Sequence, residues 1–501
     1  MLGADTTQSA SLLAATERVN LGSKSMTMLR DASYGFECRR TVRSPKRSTG
    51  VKCSVQDLSI DVEINDMNIS AVLKAQSGRP LNSGECVISN AQQMKTCSNV
   101  DVGGRSPSDF IGHRSGRRVM CLMSDTGGGH RASAQALKDC FELIYGDEFS
   151  VHIVDLWSSN SPWPFSKMPN SYFFLVKNPW LWRLNFRCSE PRLLHEIMFK
   201  GYTVIVSKHF ARAFKEIDPH LIVSVHPLMQ HVPMRVLQQM HKQSLISRVP
   251  FATVVTDLTR CHATWFHRSV DRCFVATNLV AAQAMRLGLK SEQIACHGLP
   301  IRPSFSARRQ LSKHELRTKL ALDTDAPTVM LVGGGEGMGK LQETAEALAQ
   351  TLRSTHQVIV VCGRNLRLSD FLQSKVWPLK MVVKGFVHNM AEYMSACDCV
   401  ISKAGPGTIA EAMICGVPIV LNGCIPCQEE GNIPFVTDNK VGAYSENPRT
   451  IAQIVAEWLA PENNAELLAM SSRARALGRP EATFDIIRDL AALVTETQEC
   501  D

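Results

Sequence analysis

The sequence contains no long apolar run, and this limits how the chain can meet a membrane. Although 44% of its 501 residues are hydrophobic, no stretch approaches the roughly 20 apolar residues that a membrane-spanning helix needs. The composition predicts a soluble, globular chain, long enough for two core-forming domains plus extensions. Any contact with a membrane is therefore predicted to be peripheral.

A concentrated basic stripe and a disulfide framework are also missing. The net charge of +8 is modest for this length, so we predict no nucleic-acid partner; the charge suits an anionic membrane surface or phosphate ligands. The 17 cysteines are scattered and many lie in apolar runs, which is typical of reduced core cysteines and excludes a secreted disulfide scaffold.

Residues 1–110 show little hydrophobic periodicity. The first part has few acids and a basic cluster over residues 39–47, and no secretory apolar core follows Met1. A leader rich in serine and arginine resembles an organelle transit peptide, although a disordered basic tail without a targeting role has the same composition. We interpret residues 1–110 as a transit peptide with a leader and linker.

From residue 117 onward, strand-like apolar runs alternate with helical patterns in two series, separated by a polar stretch with prolines near residues 300–326. This alternation is typical of doubly wound α/β domains. We predict two Rossmann-like domains, 111–305 and 306–480, with a ligand cleft between them. The predicted strands are 119–123, 151–156, 221–225, 251–256, 273–276, 328–332, 358–362, 381–383, 399–402 and 418–421.

Residues 119–134 are the most informative stretch: an apolar run, three glycines at 127–129, and a helix that opens with His130. Glycines let backbone N–H groups approach a ligand, and the start of a helix favours an anion. His130 would stand beside that anion with a side chain suited to proton transfer. A tight turn with a histidine at the helix start fits this stretch equally well.

A second glycine cluster occupies residues 333–340. Gly334 to Lys340 fit the GxxxxGK spacing of a P-loop, but Leu341 stands where a P-loop needs Ser or Thr to hold magnesium. The cluster gives no GxGxxG dinucleotide motif either. A strand–helix junction that binds a pyrophosphate is the interpretation that remains.

A third strand–glycine–helix stretch, residues 402–412, carries Glu411 one turn into the helix. An ionised carboxylate there can accept from both hydroxyls of a ribose, although a lone glutamate is more often a solvated helix residue. Residues 426–432 then gather amide and carboxylate groups that can bind a sugar. Cys424 and Cys427 form a CxxC pair without a second ligand pair, so a metal or redox role has little support.

Residues 157–187 contain four of the seven tryptophans, interleaved with other aromatic residues, prolines and cations. Such a mixture without a continuous apolar run is typical of a loop that enters the lipid interface. A lid that packs on protein over the cleft is the alternative.

Seven segments resemble, in order, the monogalactosyldiacylglycerol synthase family of plants and algae, relatives of the bacterial enzyme that makes lipid II. The resemblance covers about residues 117–495 and none of 1–110. The segments are MSDTGGGHRASA (123–134), SVHPLMQHVP (224–233), VVTDLTRCHATWFH (254–267), GLPIRPSF (298–305), GGGEGMG (333–339), CGRN (362–365) and KAGPGTIAEAM (403–413).

The resemblance implies a GT-B fold whose C-terminal helix, in residues 481–501, crosses back to the first domain. It implies inverting transfer of galactose from UDP-galactose to the free hydroxyl of 1,2-diacylglycerol, without metal or other cofactor. It further implies a peripheral enzyme of the chloroplast inner envelope, activated by anionic lipids such as phosphatidylglycerol and phosphatidic acid, and compatible with a homodimer. A related lipid glycosyltransferase, a UDP-sugar epimerase and a silent binding protein are the rival interpretations.

By matching motif positions, the resemblance makes His130 the base that deprotonates the acceptor, and it implies no metal ligand. The implied donor-binding residues are Gly128, Gly129, Arg302, Gly334, Gly335, Glu336, Gly337, Met338, Cys362, Gly363 and Arg364 at the phosphates, Gly385 and Phe386 at uracil, Gly405, Pro406, Gly407, Thr408 and Glu411 at phosphate and ribose, and Gln428 and Glu429 at galactose. The resemblance places Trp265 near the acceptor and Pro164 in the lipid-contacting loop, where Trp163 and Phe165 flank it. Asp257 is also assigned to the acceptor side, where it either orients a catalytic group or holds the strand end. Cys427 departs from the family pattern, which has glycine there, and Cys424 replaces an aromatic residue.

Overall fold

The computed structural model describes residues 116–126, 128–306, 311–335, 337 and 339–499. The predicted transit peptide, leader and linker in residues 1–110 lie outside the described residues, and so do two predicted donor-binding residues, Glu336 and Met338.

The described chain forms two six-stranded sheets, in which all strand pairs are parallel. The first has the order β2-β1-β3-β4-β5-β6 and the second β12-β11-β10-β7-β8-β9. The strands are β1 Arg117–Leu122, β2 Phe149–Val154, β3 Leu221–Ser224, β4 Phe251–Val254, β5 Arg272–Val275, β6 Ile294–Cys296, β7 Thr328–Val332, β8 Gln357–Val361, β9 Lys380–Lys384, β10 Cys399–Ser402, β11 Ile419–Leu421 and β12 Gly442–Tyr444.

Helices cover both faces of the two sheets. They are α1 Gly128–Tyr145, α2 Leu156–Ser159, α3 Met168–Lys177, α4 Pro179–Ser189, α5 Arg192–Ile217, α6 His231–Lys242, α7 Asn278–Arg286, α8 Lys313–Lys319, α9 Leu341–Thr351, α10 Leu366–Gln373, α11 Met390–Ala396, α12 Pro406–Cys415, α13 Asn432–Asp438, α14 Pro448–Trp458, α15 Asn464–Leu477 and α16 Ala482–Glu499. Burial of both sheet faces explains why the central strands are continuous apolar runs.

Ten strands occur where the apolar runs predicted them, with ends shifted by two residues at most. The two edge strands β6 and β12 were not predicted. Each has only three residues, and those residues are half-buried or exposed, so neither produces an apolar run in the sequence.

The C-terminal helix α16 packs on the first sheet. Its Ile486, Ile487 and Leu490 share a buried cluster with Val119 of β1 and Phe141 of α1. The chain therefore returns to the first sheet after completing the second. No helix among the described residues is both long and apolar enough to traverse a lipid bilayer.

Strand order determines where a ligand cleft opens. The direction of winding reverses between β1 and β3 in the first sheet, and between β7 and β10 in the second. Loops that follow two such neighbouring strands diverge and leave a crevice at their carboxyl ends. The loops at these four ends are the stretch before His130, the turn at His226, the glycine cluster after Val332 and the glycine turn after Ser402.

Candidate active site

His130 lies in the first turn of α1, where strand β1 ends in the crevice of the first sheet. Its Nδ1 is 2.9 Å from the carbonyl oxygen of Val225 and 3.0 Å from Oγ1 of Thr256. A carbonyl oxygen only accepts, so Nδ1 carries the ring proton and donates it to Val225. The other nitrogen, Nε2, then holds the lone pair that a general base requires.

The surroundings keep the His130 ring neutral. Burial lowers its pKa to about 4; the hydrogen bond to Val225 opposes this, and the positive charge of Lys403 adds to it. The ring of His226 meets that of His130 edge-on at 4.4 Å. Burial also lowers the pKa of His226 well below its ordinary value, so two neutral imidazoles lie in contact at the cleft.

Asp257 follows β4 and lies beside the predicted acceptor residue Trp265. Its Oδ2 accepts a hydrogen bond of 2.7 Å from the indole Nε1 of Trp265. Burial and the nearby negative charge of Glu429, opposed by the Trp265 hydrogen bond, together raise the pKa of Asp257 to about 7. Since Glu429 belongs to the second sheet's side of the cleft, residues of both domains act on one carboxyl group.

Asp257 is expected to make stability depend on pH. Its folded pKa of about 7 exceeds the ordinary value of 3.8, so between these values the folded chain binds more protons than the unfolded chain. The free energy of unfolding therefore falls as pH rises from about 4 to 7, by at most about 1.4 kcal/mol per pH unit. Asp257→Asn, which can still accept from Trp265, removes this loss.

Thermal unfolding of the full chain at pH 5, 6, 7 and 8 measures the effect. The difference in Tm between Asp257→Asn and the wild type should increase up to pH 7 and then stay constant. Asp438→Asn, at an exposed residue, is the matched control and should give a constant difference. A constant difference for Asp257→Asn as well would show that Asp257 titrates near its ordinary value.

Lys403 is a site residue that was not predicted. Its Nζ pairs with Oε1 of Glu429, whose Oε2 accepts from the Ile425 backbone N–H at 2.9 Å. Both oxygens of the predicted galactose ligand Glu429 thus have protein partners. The signal in the sequence was the position of Lys403 directly before the glycine turn, but only the fold brings its charge close to His130.

The second glycine cluster and the Cys362–Asn365 turn pack backbone against backbone. The N–H of Arg364 donates to the carbonyl of Gly335 at 2.9 Å. Gly363 has φ +57, and a Cβ there would lie 2.4 Å from the Gly334 carbonyl oxygen and 2.5 Å from that of Gly335. Only glycine fits this position. The two predicted diphosphate turns therefore form one rigid edge of the cleft.

Two alanine substitutions should separate folding from ligand binding at these turns. Gly363→Ala collides with two backbone carbonyl groups in the left-handed region, so we expect a loss of stability above about 3 kcal/mol. A Cβ at Gly407 would meet nothing within 4 Å, so Gly407→Ala should keep its Tm while placing a methyl group in the proposed phosphate site.

Thermal unfolding and UDP titration of both variants test this pair. For thermal unfolding alone, Gly385→Ala serves as the control for adding a methyl group beside Gly363, because its Cβ would meet its nearest atom at 3.6 Å. Unchanged UDP affinity in Gly407→Ala would remove the Gly405–Thr408 turn from the donor site.

Arg302 and Glu411, predicted separately as donor residues, form an ion pair of 2.9 Å. Burial raises the pKa of Glu411 and the Arg302 charge lowers it. Arg302 Nε is buried and has no hydrogen-bond partner among the residues that the structure describes. A guanidinium N–H without a partner beside a glycine turn suits an anionic ligand.

Arg364 and Phe386 form a platform on the second domain. The guanidinium carbon of Arg364 lies 5.7 Å from the centre of the Phe386 ring, which is half exposed. Across the cleft, the hydrogen bond from Arg131 lowers the pKa of Asp125, and the charge of Arg364 adds to this. Arg364 therefore lies close to the loop that carries Gly128 and Gly129, where an added Cβ would meet nothing within 4 Å.

The predicted sugar loop contacts the aromatic stretch of the first domain. Tyr172 of α3 donates to Oε1 of Gln428 at 3.3 Å, and the Trp182 indole donates to the Pro426 carbonyl at 2.8 Å. Trp182, Phe186 and Cys427 form a small buried cluster. The aromatic stretch is thus a pair of helices, α3 and α4, that packs on the other domain with one side, as the lid alternative proposed.

The other side of this helix pair is exposed. Phe174, Trp180 and Leu184 are 62%, 69% and 52% exposed, and Trp163 in the preceding loop is 80% exposed. Pro164 is also exposed, whereas Phe165 turns inward and lies against the rings of Trp157 and Tyr202. Of the three predicted lipid contacts, Trp163 and Pro164 face outward and Phe165 supports the core.

Cys427, the departure from the family pattern, has φ +63. This left-handed conformation is the one that glycine adopts without strain. The backbone at the sugar loop therefore keeps a conformation that suits glycine, and the Cys427 side chain is buried against Trp182 and Phe186 instead.

Two parallel α/β sheets, glycine turns at both crevices and a neutral histidine facing them define a two-domain enzyme of the GT-B fold. A family model described as monogalactosyldiacylglycerol (MGDG) synthase matches residues 130–301, and one described as glycosyltransferase family 28 C-terminal domain matches residues 328–478. The chain belongs to the monogalactosyldiacylglycerol synthase family.

Two relatives support this membership. The chloroplastic monogalactosyldiacylglycerol synthase of Spinacia oleracea is 47% identical over 78% of this chain and 75% of its own length. Monogalactosyldiacylglycerol synthase 1, chloroplastic, of Arabidopsis thaliana is 47% identical over 75% of this chain and 71% of its own. A crystal structure of Acinetobacter baumannii MurG covers 75% of this chain and 99% of that chain, with 14% identity and a TM-score of 0.49.

Proposed function

We propose that this glycosyltransferase uses His130 to deprotonate the acceptor hydroxyl and transfers galactose from UDP-galactose with inversion. As a family member, the chain transfers galactose to diacylglycerol and forms monogalactosyldiacylglycerol. The observation that supports the role of His130 is its tautomer: Nδ1 is fixed by the Val225 carbonyl, which leaves Nε2 free as the acceptor of a proton.

The proposed inversion rests on placing the base His130 and the leaving UDP on opposite domains. We propose residues 306–480 as the donor domain and 111–305, with the C-terminal helix, as the acceptor domain. A base on the acceptor domain activates a hydroxyl that attacks the sugar from the side opposite to UDP. We propose that closure of the two domains excludes water, so that galactose passes to the lipid instead of being hydrolysed.

The charge that develops on the leaving diphosphate can be stabilised by protein groups alone. Arg302 offers its buried Nε, and the N-termini of α1 and α12 offer backbone N–H groups. We therefore propose that no metal ion is needed at the diphosphate. Glu411 accepts a hydrogen bond from Arg302, and we propose that its carboxylate also accepts from the ribose hydroxyls.

The acceptor side is proposed to include Asp257 and Trp265 next to His130 and the exposed aromatic residues at the membrane. We further propose peripheral attachment to the chloroplast inner envelope and activation by anionic lipids. The relatives' names say chloroplastic, and the exposed residues of α3 and α4 combine aromatic rings with the cation Lys177.

Galactose transfer by the purified chain tests the proposal. Radiolabelled UDP-galactose is given with liposomes that contain diacylglycerol, with EDTA present and with phosphatidylglycerol varied. A β-linked galactolipid that forms in EDTA and increases with anionic lipid is expected. An α-linked product would contradict inversion, a requirement for added magnesium would contradict metal independence, and preference for UDP-glucose would contradict the donor assignment.

The exposed aromatic rings of α3 and α4 should determine the affinity of the protein for membranes. The double variant Phe174→Ser/Trp180→Ser removes apolar area from the exposed face of the helix pair, so we expect liposome affinity to fall about tenfold or more while UDP affinity is retained. Leu366→Ser/Val376→Ser, at exposed residues of the second domain, is the control and should bind liposomes normally. Equal liposome binding by both variants would favour a pure lid role.

A further inference from the structure

Outside the cleft, the first domain contains a buried cluster of two histidines and a glutamate. His195 and Glu196 lie in the first turns of α5, and His231 is the first residue of α6. One donor atom from each of the three lies within 4.8 Å of the others. His195 and Glu196 are neighbours in the sequence and His231 lies on the next helix, and no spacing of a zinc motif marks the three residues.

His231 lacks the partners that a buried imidazole normally has. Its side chain is 3% exposed, and neither ring nitrogen has a hydrogen-bond partner among the described residues. Native structures satisfy nearly all buried polar atoms, so a ring with two unsatisfied nitrogens indicates a missing ligand. Burial lowers the pKa of His231 to about 2, and the neighbouring His267, His195 and Arg235 contribute, so the ring is neutral.

We propose that His195, Glu196 and His231 bind a divalent transition-metal ion, with zinc as the best match. Nδ1 of His231 and Oε1 of Glu196 are 3.5 Å apart. Two ligands at zinc–donor distances of about 2.0–2.2 Å in a tetrahedral site stand about 3.3–3.5 Å apart, so this spacing already suits a shared ion. Two imidazoles with one carboxylate favour zinc over magnesium or calcium, which prefer oxygen ligands.

The groups around the cluster hold the ligands as outer partners do in metal sites. Nδ1 of His195 lies 3.2 Å from the Ser189 carbonyl oxygen, which only accepts, so Nε2 has the lone pair for the metal. Arg235 pairs with Oε2 of Glu196, so Oε1, which faces His231, is available to a metal ion. His267 accepts from the Ser269 N–H through Nδ1, which leaves a proton on Nε2 and excludes His267 as a ligand in this tautomer.

The ion would join two elements that matter for the cleft. Helix α5 continues from the aromatic pair α3 and α4, and α6 begins just after His226, whose ring touches that of His130. A metal bridge between the starts of α5 and α6 would fix the aromatic helices relative to the catalytic strand end. This structural role is independent of the diphosphate chemistry and of the identity of the donor.

Metal analysis of the full-length chain tests the proposal. The chain is purified without chelator, equilibrated with zinc and measured by mass spectrometry for bound metal. One zinc per chain is expected, and His195→Ala and His231→Ala should bind zinc at least about 100-fold more weakly. His241→Ala, at an exposed histidine of α6, is the matched control and should retain the metal.

Two further measurements protect the test from variants that fail to fold. Cobalt added to the metal-free wild type should give the intense visible absorption of a four-coordinate site. Zinc should raise the Tm of the wild type and of His241→Ala, and it should leave the Tm of His195→Ala and His231→Ala unchanged. A wild-type chain that binds neither ion, or equal zinc binding by His231→Ala and His241→Ala, would overturn the proposal.

Discussion

Replacing His130 with alanine is expected to lower kcat for galactose transfer by about 10²- to 10⁴-fold, the contribution of a positioned general base. UDP affinity should be unchanged, because alanine keeps the backbone N–H groups at the start of α1 and the other proposed donor groups lie on the second domain. Turnover with saturating diacylglycerol liposomes and UDP titration of the same preparation measure the two effects. His152→Ala, at an exposed residue of β2, is the control and should keep both.

The pH profile gives a second readout of the same assignment. Since the pKa of His130 is about 4, its Nε2 is free at every pH above about 5. The wild-type rate should therefore show no inflection near 6.5 from this residue. An alternative base is Asp257, whose pKa is about 7. If Asp257→Asn abolished turnover and His130→Ala retained it, the base would be Asp257.

The second large effect is expected at the Arg302–Glu411 pair. Glu411→Gln removes the charge that Arg302 binds, and it also removes the proposed ribose contact. A hydrogen bond to a charged group is worth about 1.5–3 kcal/mol, so UDP affinity should fall about 10- to 100-fold. Stability should fall by about 2 kcal/mol, less than for a fully buried pair, because the Arg302 side chain is 28% exposed.

A double-mutant cycle separates the pair from its surroundings. Arg302→Gln and Glu411→Gln should each destabilise the chain, and the double variant should lose less than the sum, since no unpaired charge remains. Asp485→Asn, which breaks an exposed ion pair with Arg488, should change stability by no more than about 0.5 kcal/mol. Strictly additive losses at Arg302 and Glu411 would show that the two side chains act independently.

The contact between the aromatic helices and the sugar loop relates the membrane to the donor site. The Trp182 ring is buried against Cys427, while Trp180, two residues earlier on the same helix, is exposed. Helix α4 therefore has one face on the proposed sugar loop, at Pro426 and Cys427, and the other toward solvent. If the exposed face binds the membrane, as we propose, a displacement of this helix on the lipid would act on the sugar loop directly.

Much of the fold was predictable because parallel strands buried on both faces are continuous apolar runs. Ten strands, the stretch that carries His130 and the three glycine turns all follow from such local patterns. Family resemblance added the assignment at Arg302, which no local pattern supplies, and it supported the ribose and sugar assignments that local patterns suggested at Glu411 and Gln428. The short edge strands β6 and β12 were not predicted, because three half-exposed residues carry no periodic signal.

The sequence by itself determined the α/β class, the family and the positions where glycine is required. The tertiary structure alone decided which distant residues meet: Lys403 near His130, Glu429 near Asp257, and His195 with His231. Hydrophobic patterning is local and can be read along the chain, whereas charge, burial and pKa depend on neighbours that only folding supplies. The protonation state of the cleft is therefore a property of the assembled domains.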